Sequence, residues 1–483
     1  MKQLKAITIL LLFITALFSC KSEVKESPPN IVVILCDDLG YGDLSSYGHP
    51  VIQTPNLDKL GEEGIKFTSF YSAAPVCSPA RAGLFTGRSP NRAGIYDYIR
   101  PAKEEVEDCL DLVHLQADEQ TIPAMLKEVG YSTCLSGKWH LNSKFNSNAQ
   151  PTPGYFGFDH WFATQNVARP SHKNPNNFVR NGKEVGELKG FSCQIVVDEA
   201  LNWLKNRETD NPFYLQVSIH EPHGPIESPQ VLVEEYLPKS VNENQAQYFA
   251  NVANVDDAVG RLVEYLKENY GENTLVIFTS DNGPETLLRY RGAIRSYGSP
   301  GPLKGMKLWT TEGGVRVPGI LNWLGKETYN GSSDAVVSLL DFMPTFAEIS
   351  GAELPERALD GQSMVPVIKT GKMEREKPLL WVFYDAINEH RVSMRTDDWK
   401  ILARMKTDTT YLPLIHNLYE GNEELAKQAH LVDCELYNMN EDIAEAENVA
   451  EKYPEKLDEI KKILKSEYNN LLEGSHIWSR EGD

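Results

Sequence analysis

The chain has 483 residues, 41% of them hydrophobic, with 48 basic against 68 acidic side chains and a formal net charge of −20. This length exceeds what one hydrophobic core usually serves and predicts a large domain with a smaller companion, while the acidic balance excludes nucleic acid as a partner. Its seven cysteines, Cys20, Cys36, Cys77, Cys109, Cys134, Cys193 and Cys434, show no paired spacing, which excludes a disulfide framework or a zinc motif and leaves stability to packing.

Lys2 and Lys5 precede an apolar run over residues 7–18 that is too short to cross a bilayer, the pattern of an export signal over residues 1–20. Leu17-Phe18-Ser19-Cys20 resembles a bacterial lipoprotein cleavage box, which would leave Cys20 lipidated and the chain anchored in the periplasm or at the cell surface. Phe18 is bulkier than usual there, so ordinary signal cleavage is the alternative. Residues 21–29 are a polar linker, and no other stretch reads as a membrane helix.

From residue 30 onward, apolar runs of strand length alternate with helical stripes. They predict an α/β domain over residues 30–375, with a mostly parallel central sheet sandwiched by helices. Residues 30–36 end in Asp37-Asp38. Helices are predicted from Thr54 to Gly64 and from Thr121 to Gly130, with an extended segment at residues 67–71 between them. Residues 131–135 lead to Lys138 and His140, which sit side by side if the strand stays extended. A helix over 194–204 precedes the strand at 212–219, which ends in His220-Glu221-Pro222-His223. The stripe Phe249, Val252, Val255, Val259, Leu262 and Leu266 predicts a long helix, and residues 273–280 form a strand ending in Asp281-Asn282-Gly283. These four polar tips fall at strand ends, where open α/β sheets bind ligands. Short runs at 381–384, 390–395, 399–403 and 435–438, then a helix over 454–472, predict a C-terminal subdomain at 376–483: a small antiparallel sheet with a terminal helix.

Cys77-Ser78-Pro79-Ala80-Arg81 makes sense around an anion. With Ser78 as N-cap and Pro79 as the first helical residue, Cys77 faces free N–H groups, and Arg81 adds a fixed cationic fork for sulfate, phosphate or carboxylate. A buried structural cysteine is the plainer alternative. Asp37, Asp38, Asp281 and Asn282 offer only oxygen, which suits one hard cation, calcium or magnesium, rather than zinc. Turn capping accounts for either pair alone but poorly for both. Two stretches lack Asp and Glu: residues 160–183, with Arg169, Lys173, Arg180 and Lys183, and residues 286–311, with Arg289, Arg291, Arg295, Lys304 and Lys307. They predict two loops over one mouth and a positive field for an anionic substrate, ordinary solvated loops being the alternative.

Cys77 to Arg81, with the trailing Leu84-Phe85-Thr86-Gly87-Arg88, resembles the signature of type I sulfatases. The resemblance runs from about residue 30 to the terminal helix and implies an alkaline-phosphatase-like fold and sulfate ester hydrolysis. It further implies that a separate maturation enzyme oxidises Cys77 to formylglycine, whose hydrate is the nucleophile. One calcium would be shared by Asp37, Asp38, residue 77, Asp281, Asn282 and the sulfate. The family's remaining positions fall on Arg81, Lys138, His140, His223 and Lys307. Arg81 would favour the ionised hydrate, Lys138 and Lys307 neutralise sulfate oxygens, His223 protonate the leaving oxygen and His140 deprotonate the second hydroxyl. His223 is preferred to its neighbour His220 because Pro222-His223-Gly224-Pro225 matches the family's Pro-His-x-Pro. Lys304 competes with Lys307, because Met306 and Leu308 stand where the family's Gly-Lys-Gly-Thr-Thr-x-Glu-Gly-Gly has glycines.

Export and the basic mouth point to a sulfated poly- or oligosaccharide as substrate. Candidate substrate contacts are Arg169, His172, Arg289, Arg291, Tyr384, His390 and Arg391, with Tyr96, Tyr98, Arg100 and Trp161 also in rim loops. A phosphonate or phosphodiester hydrolase of the same superfamily is the rival enzyme. A non-catalytic, surface-anchored glycan binder is the rival of another class; it predicts erosion of the catalytic positions, and none of them is missing.

Overall fold

The computed structural model describes residues 27–102 and 112–479; the export signal, Cys20 and Cys109 lie outside the described residues. The central sheet comprises β1 (Asn30–Asp37), β2 (Ile65–Tyr71), β3 (Ser132–Lys138), β4 (His160–Thr164), β5 (Val179–Arg180), β6 (Lys183–Glu184), β7 (Phe213–Pro222), β8 (Thr274–Ser280), β9 (Arg316–Leu324), β10 (Gly331–Ser333) and β11 (Val337–Ser338). Their order is β10-β2-β9-β8-β1-β7-β3-β4-β5-β6, with β11 also on β2. The stretch from β8 to β4 is parallel throughout, so the four polar-tipped strands are contiguous and end on one edge. β9 is antiparallel to both β8 and β2. The sequence pattern does not predict it, because Pro318 and Gly319 interrupt the run. Gly319 is needed there, since a Cβ would lie 2.3 Å from the Phe70 ring.

β1 shows why its run is apolar throughout. Ile31, Val33 and Leu35 enter one core and Val32, Ile34 and Cys36 the other, all with no exposed surface. A strand covered on both faces has no side left for polar residues. The helices Ser192–Lys205 and Glu243–Tyr270 cover the second face, through Val196, Ala200, Val255, Leu262 and their neighbours. Each fully buried aliphatic chain contributes about 1.5–3 kcal/mol.

Two local expectations are corrected. The helix Cys77–Thr86 has Val76, not Ser78, as N-cap. The Val76 carbonyl accepts the Ala80 N–H at 3.1 Å, and the Ser78 hydroxyl instead accepts the Ile99 N–H at 3.0 Å. Cys77 is therefore inside the first turn. Lys138 and His140 are not neighbours on an extended strand, because β3 stops at Lys138 and His140 has a φ of 58°. Gly137, at φ 117°, brings the strand so close to β7 that a Cβ would sit 1.9 Å from the Ser218 carbonyl oxygen.

The second sheet is antiparallel, in the order β12 (Leu379–Val382), β13 (His390–Thr396), β14 (Trp399–Lys406), β15 (His430–Asn438), and is followed by the helix Pro454–Glu473. It is joined to the first sheet by polar groups as well as by packing. Trp381 Nε1 donates to the Ser72 carbonyl at 2.8 Å. Lys400 Nζ lies buried between Glu312 Oε1 at 2.8 Å and Glu445 Oε1 at 3.1 Å, and Glu445 Oε2 accepts the Glu312 N–H at 2.7 Å. Burial alone would raise Glu312, yet Lys400, Arg316 and Arg395 hold its carboxyl down to about 2. Removing the ammonium while leaving both carboxylates should cost about 3–5 kcal/mol. Lys400→Met should lose that much stability in urea unfolding, and a loss below about 1 kcal/mol would show that the cluster does not hold the two sheets together.

Candidate active site

Each of the four contiguous parallel strands delivers side chains to one point. β8 supplies Asp281 and Asn282, β1 supplies Asp37 and Asp38, β7 leads to His223 and β3 ends on Lys138. Above them stand Cys77 and Arg81, from the first turns of a helix whose residues are all buried, and Lys307, from the loop before β9.

Three ion pairs organise the point. Lys138 Nζ donates to Asp37 Oδ2 at 2.6 Å. Lys307 Nζ donates to Asp38 Oδ1 at 2.6 Å and Oδ2 at 2.9 Å. Arg81 donates through Nε at 3.0 Å and Nη2 at 2.7 Å to Asp281 Oδ2, and through Nη1 to the Lys138 carbonyl at 3.0 Å. No side chain among the six is more than 4% exposed. Burial pushes Asp38 and Asp281 up to about 6. Burial also acts on Asp37, but Lys138, His223 and Arg81 outweigh it and hold that carboxyl well below its usual range.

The oxygen set fits a hard cation on two observations. Asp37 Oδ1 and Asn282 Oδ1 are buried without a hydrogen-bond partner, a costly state that a ligand would relieve. One ligand atom each from Asp37, Cys77 and Asp281 lies within 4.8 Å of the others. The chemistry of the donors is that of an oxygen-seeking divalent ion.

The thiol itself is a poor nucleophile here. Burial pushes Cys77 up to about 11, against the opposing pull of Lys138 and Lys307, which disfavours the thiolate.

The three nearby histidines differ in what they leave free. His140 Nε2 faces the Ile99 carbonyl at 2.9 Å and must donate to it, which leaves the buried Nδ1 unprotonated and unpartnered. Burial, with Lys138 and Arg81, holds His140 well below its usual value. His223 Nδ1 donates to the Gly224 carbonyl at 2.6 Å, and its Nε2 lies 3.7 Å from Asp38 Oδ2. Burial lowers His223 to about 4. His220 is bonded to the Thr164 hydroxyl at 2.8 Å and lies edge-on to Phe178, a scaffold position.

Lys307 is in this cluster and Lys304 is outside it. Lys304 Nζ donates to the Glu445 carbonyl and lies over the Tyr437 ring. Leu308 carries the non-glycine substitution in its backbone, at φ 69°, a conformation glycine would adopt without the cost of roughly 1–2 kcal/mol. Its side chain packs with Val76, Cys77, Phe383 and Ala386, and its N–H donates to the Pro75 carbonyl at 2.9 Å.

The two acid-free segments do meet, over a cleft of ≈ 540 Å³ lined by Asn166, Arg169 and Asn176 from one, Tyr290 and Gly292 from the other, and His223 between them. The positive field is smaller than the local composition predicts, because acids from elsewhere reach in. Arg180 pairs with Glu199, Lys173 with Glu227, and Arg289 with Glu285 through two 2.7 Å bonds. Glu285, which also lies 3.9 Å from Lys307 Nζ, was missed by the sequence reading; its position just after Asp281-Asn282-Gly283-Pro284 was the available signal. Arg291 is exposed but does not line the cleft.

The other candidate contacts do not line this cleft. His172 is fully buried and accepts from Asn251 at 3.2 Å. Tyr384 and Tyr96 are buried against one another with ring centres 6.1 Å apart, and Trp161 is core. His390 lies 3.7 Å from Glu435, and Arg391 donates to the Pro413 carbonyl. Tyr98 and Arg100 are exposed, the guanidinium 5.5 Å from the ring centre.

Comparison with known proteins gives the same answer over most of the chain. Residues 29–352 match the family model described as Sulfatase, and residues 306–473 match that described as N-sulphoglucosamine sulphohydrolase, C-terminal. The chain is 33% identical to N-acetylgalactosamine-6-sulfatase of Homo sapiens over 74% of its own length and 69% of the relative's. It is 32% identical to arylsulfatase A of Homo sapiens over 90% of this chain and 87% of that one. Among solved structures, Ps i-CgsB superposes with a TM-score of 0.75 at 28% identity, covering 93% of this chain and 94% of that one. The same protein has been solved in complex with k-i-k-neocarrahexaose, with a TM-score of 0.75 at 27% identity over the same shares of the two chains.

The placement of the two lysines separates their roles. Lys307→Met should weaken inorganic sulfate binding about tenfold or more, the order of one charge-assisted contact, and Lys304→Met should leave it within about twofold. Calorimetric titration with sulfate checks this, and equal effects of the two changes would contradict the assignment.

Proposed function

This chain belongs to the sulfatase family and is a sulfuric ester hydrolase; on that premise we propose that it removes sulfate from a sulfated poly- or oligosaccharide, with residue 77 acting in its formylglycine form beside one calcium ion. The observation that carries the reading is the cluster in which three carboxylates, three cations and Cys77 converge, with oxygen atoms of Asp37 and Asn282 left unpartnered. Formation of the aldehyde calls for a separate maturation enzyme.

Asp37, Asp38, Asp281, Asn282 and residue 77 would hold the ion. When bound it would supply positive charge that lowers the pKa of a nearby hydroxyl and offsets sulfate charge. Arg81, held by Asp281, adds a permanent charge beside residue 77 and favours ionisation of the hydrate's attacking hydroxyl. Lys138 and Lys307 are preset by their carboxylates, so their ammonium groups meet the charge developing on the sulfate oxygens without rearranging. His223 holds Nε2 toward the site and hands a proton to the departing sugar oxygen. Burial lowers it in the free pocket, and the negative charge of a bound sulfate would favour its protonated form. His140 presents the bare Nδ1 and takes the proton of the remaining hydroxyl on residue 77, which then re-forms its carbonyl as sulfate is expelled.

The saccharide reading is supported by the N-acetylgalactosamine-6-sulfatase among the relatives, by the k-i-k-neocarrahexaose bound to a structural neighbour, and by the open cleft beside His223 with Asn166, Arg169, Asn176 and Tyr290 on its walls. The export-signal pattern of residues 1–20 supports an exported enzyme, either lipid-anchored through Cys20 or released by ordinary signal cleavage. Among the described residues no helix is long and apolar enough to cross a membrane.

Sulfate release from N-acetylgalactosamine 6-sulfate, glucosamine 6-sulfate and carrageenan oligosaccharides tests the reading, using protein whose residue 77 is checked by peptide mass spectrometry. Cys77→Ser should abolish turnover, because serine keeps one hydroxyl but cannot form a gem-diol; a fully active serine protein would refute the mechanism. Loss of the general acid should depend on the leaving group. His223→Ala should lower kcat about 10²–10⁴-fold on a sugar sulfate and far less on p-nitrophenyl sulfate, whose phenolate needs no proton. Equal losses on both would remove His223 from the acid role.

A further inference from the structure

A second polar cluster lies where two segments that pack against the Cys77 region meet. His416 Nδ1 lies 3.2 Å from Asp97 Oδ2 and 3.1 Å from Asp385 Oδ2. Asp97 is two residues before Ile99, whose N–H donates to Ser78 and whose carbonyl accepts from His140. Asp385 lies between Phe383 and Ala386, which pack directly with Cys77 and Leu308. The cluster is thus held one or two residues from the catalytic shell on both sides.

Beside it is a recess of ≈ 10 Å³, lined by Asp97, Tyr98, Arg100, His416 and Asn417 among others, which is space for one water-sized group. Asn417 is 3% exposed, and neither its Nδ2 nor its Oδ1 has a hydrogen-bond partner. A buried amide with both ends unmatched costs about 1–3 kcal/mol per group. It calls for a ligand atom that donates and accepts at once, as a hydroxyl does. A metal ion fits less well, because the imidazole already stands between the two carboxylates, and its hydrogen bond to Asp97 raises it above its ordinary value toward the cationic form.

We propose that Asp97, Asp385, His416 and Asn417 form the subsite that reads hydroxyl groups of the sulfated sugar ring, an inference that rests on the saccharide reading above. One hydroxyl enters the recess against the Asn417 amide, and a neighbouring hydroxyl donates to the Asp385 carboxylate. The sulfate at residue 77 and the ring hydroxyls at this cluster would then fix which position of the sugar presents its ester.

The test compares N-acetylgalactosamine 6-sulfate and carrageenan oligosaccharides with p-nitrophenyl sulfate, which has no ring hydroxyls. Asp385→Asn and Asn417→Leu, each confirmed as folded by thermal melting, should lower the ratio of kcat/KM for the preferred saccharide to that for the aryl sulfate at least tenfold. A parallel fall on both substrates, or no change in the ratio, would overturn the subsite while leaving the sulfatase reading intact. If the wild type releases sulfate from none of them, the function above fails, and the subsite is judged by calorimetry on the Cys77→Ser protein. A tenfold loss of saccharide affinity in the two variants, relative to inorganic sulfate, supports it, and unchanged affinity overturns it. A second equivalent of calcium bound by the wild type and lost in Asp385→Asn would make the cluster an ion site and also overturn the proposal.

Discussion

Three buried carboxylates held against three buried cations are the constraint on which the rest of this molecule depends. Taking an ion out of water costs several kcal/mol even after relaxation, and only well-placed partners offset it. Asp37, Asp38 and Asp281 each have one within 2.7 Å. The array exists only if β8, β1, β7 and β3 lie side by side in register and the helix carrying Arg81 lies across their ends. The sheet order, the close approach at Gly137 and the full burial of the Cys77 helix all serve that arrangement. The carboxylates and cations balance, so a further dication would leave the pocket positive for an anionic ester.

Lys307 is the member that no strand end supplies, and its delivery explains much of the second sheet. Its loop is pinned from below, where Gly283 packs so tightly that a Cβ would lie 1.9 Å from the Gly313 carbonyl oxygen. From the other side, the Lys400 bridge between Glu312 and Glu445 and the Ser393 hydroxyl bond to the Thr310 carbonyl hold it. Leu308 bears a left-handed backbone in the same loop and packs on Cys77. Strain of this kind persists only where surrounding contacts over-determine the position. The antiparallel sheet is thus part of the catalytic architecture, and through Asp385 it also reaches the second polar cluster.

Around the mouth, charge is less important than its acid-free segments suggest. Arg180, Lys173 and Arg289 are each matched by a carboxylate from another part of the chain. Buried, paired charge is concentrated at the point where sulfate would sit, and the adjoining cleft carries Arg169, Asn166 and Asn176 among apolar and backbone groups. That division suits a substrate with one charged ester on an otherwise hydroxyl-rich body. Within the site, burial lowers both His140 and His223, which favours their neutral forms.

The sequence by itself determined the strands with polar tips, the oxygen donors, the Cys77 segment and the antiparallel C-terminal part. Each of these is written in local order: an apolar run of fixed length, a pair of acids at its end, a short Cys-Ser-Pro-Ala-Arg string. Only tertiary structure decided between Lys307 and Lys304, because the glycines that would have set the register of that loop are Met306 and Leu308. It placed β9 between β8 and β2 despite Pro318 and Gly319, since pairing on both edges outweighs weak strand propensity. It withdrew His172, Tyr384 and Trp161 from the rim, because residue type does not tell a buried aromatic from an exposed one. It also joined Asp97, Asp385 and His416 across more than 300 residues of chain. Local periodicity reports which residues turn inward; which side chains then meet depends on the order of strands in a sheet, and that is a property of the whole chain.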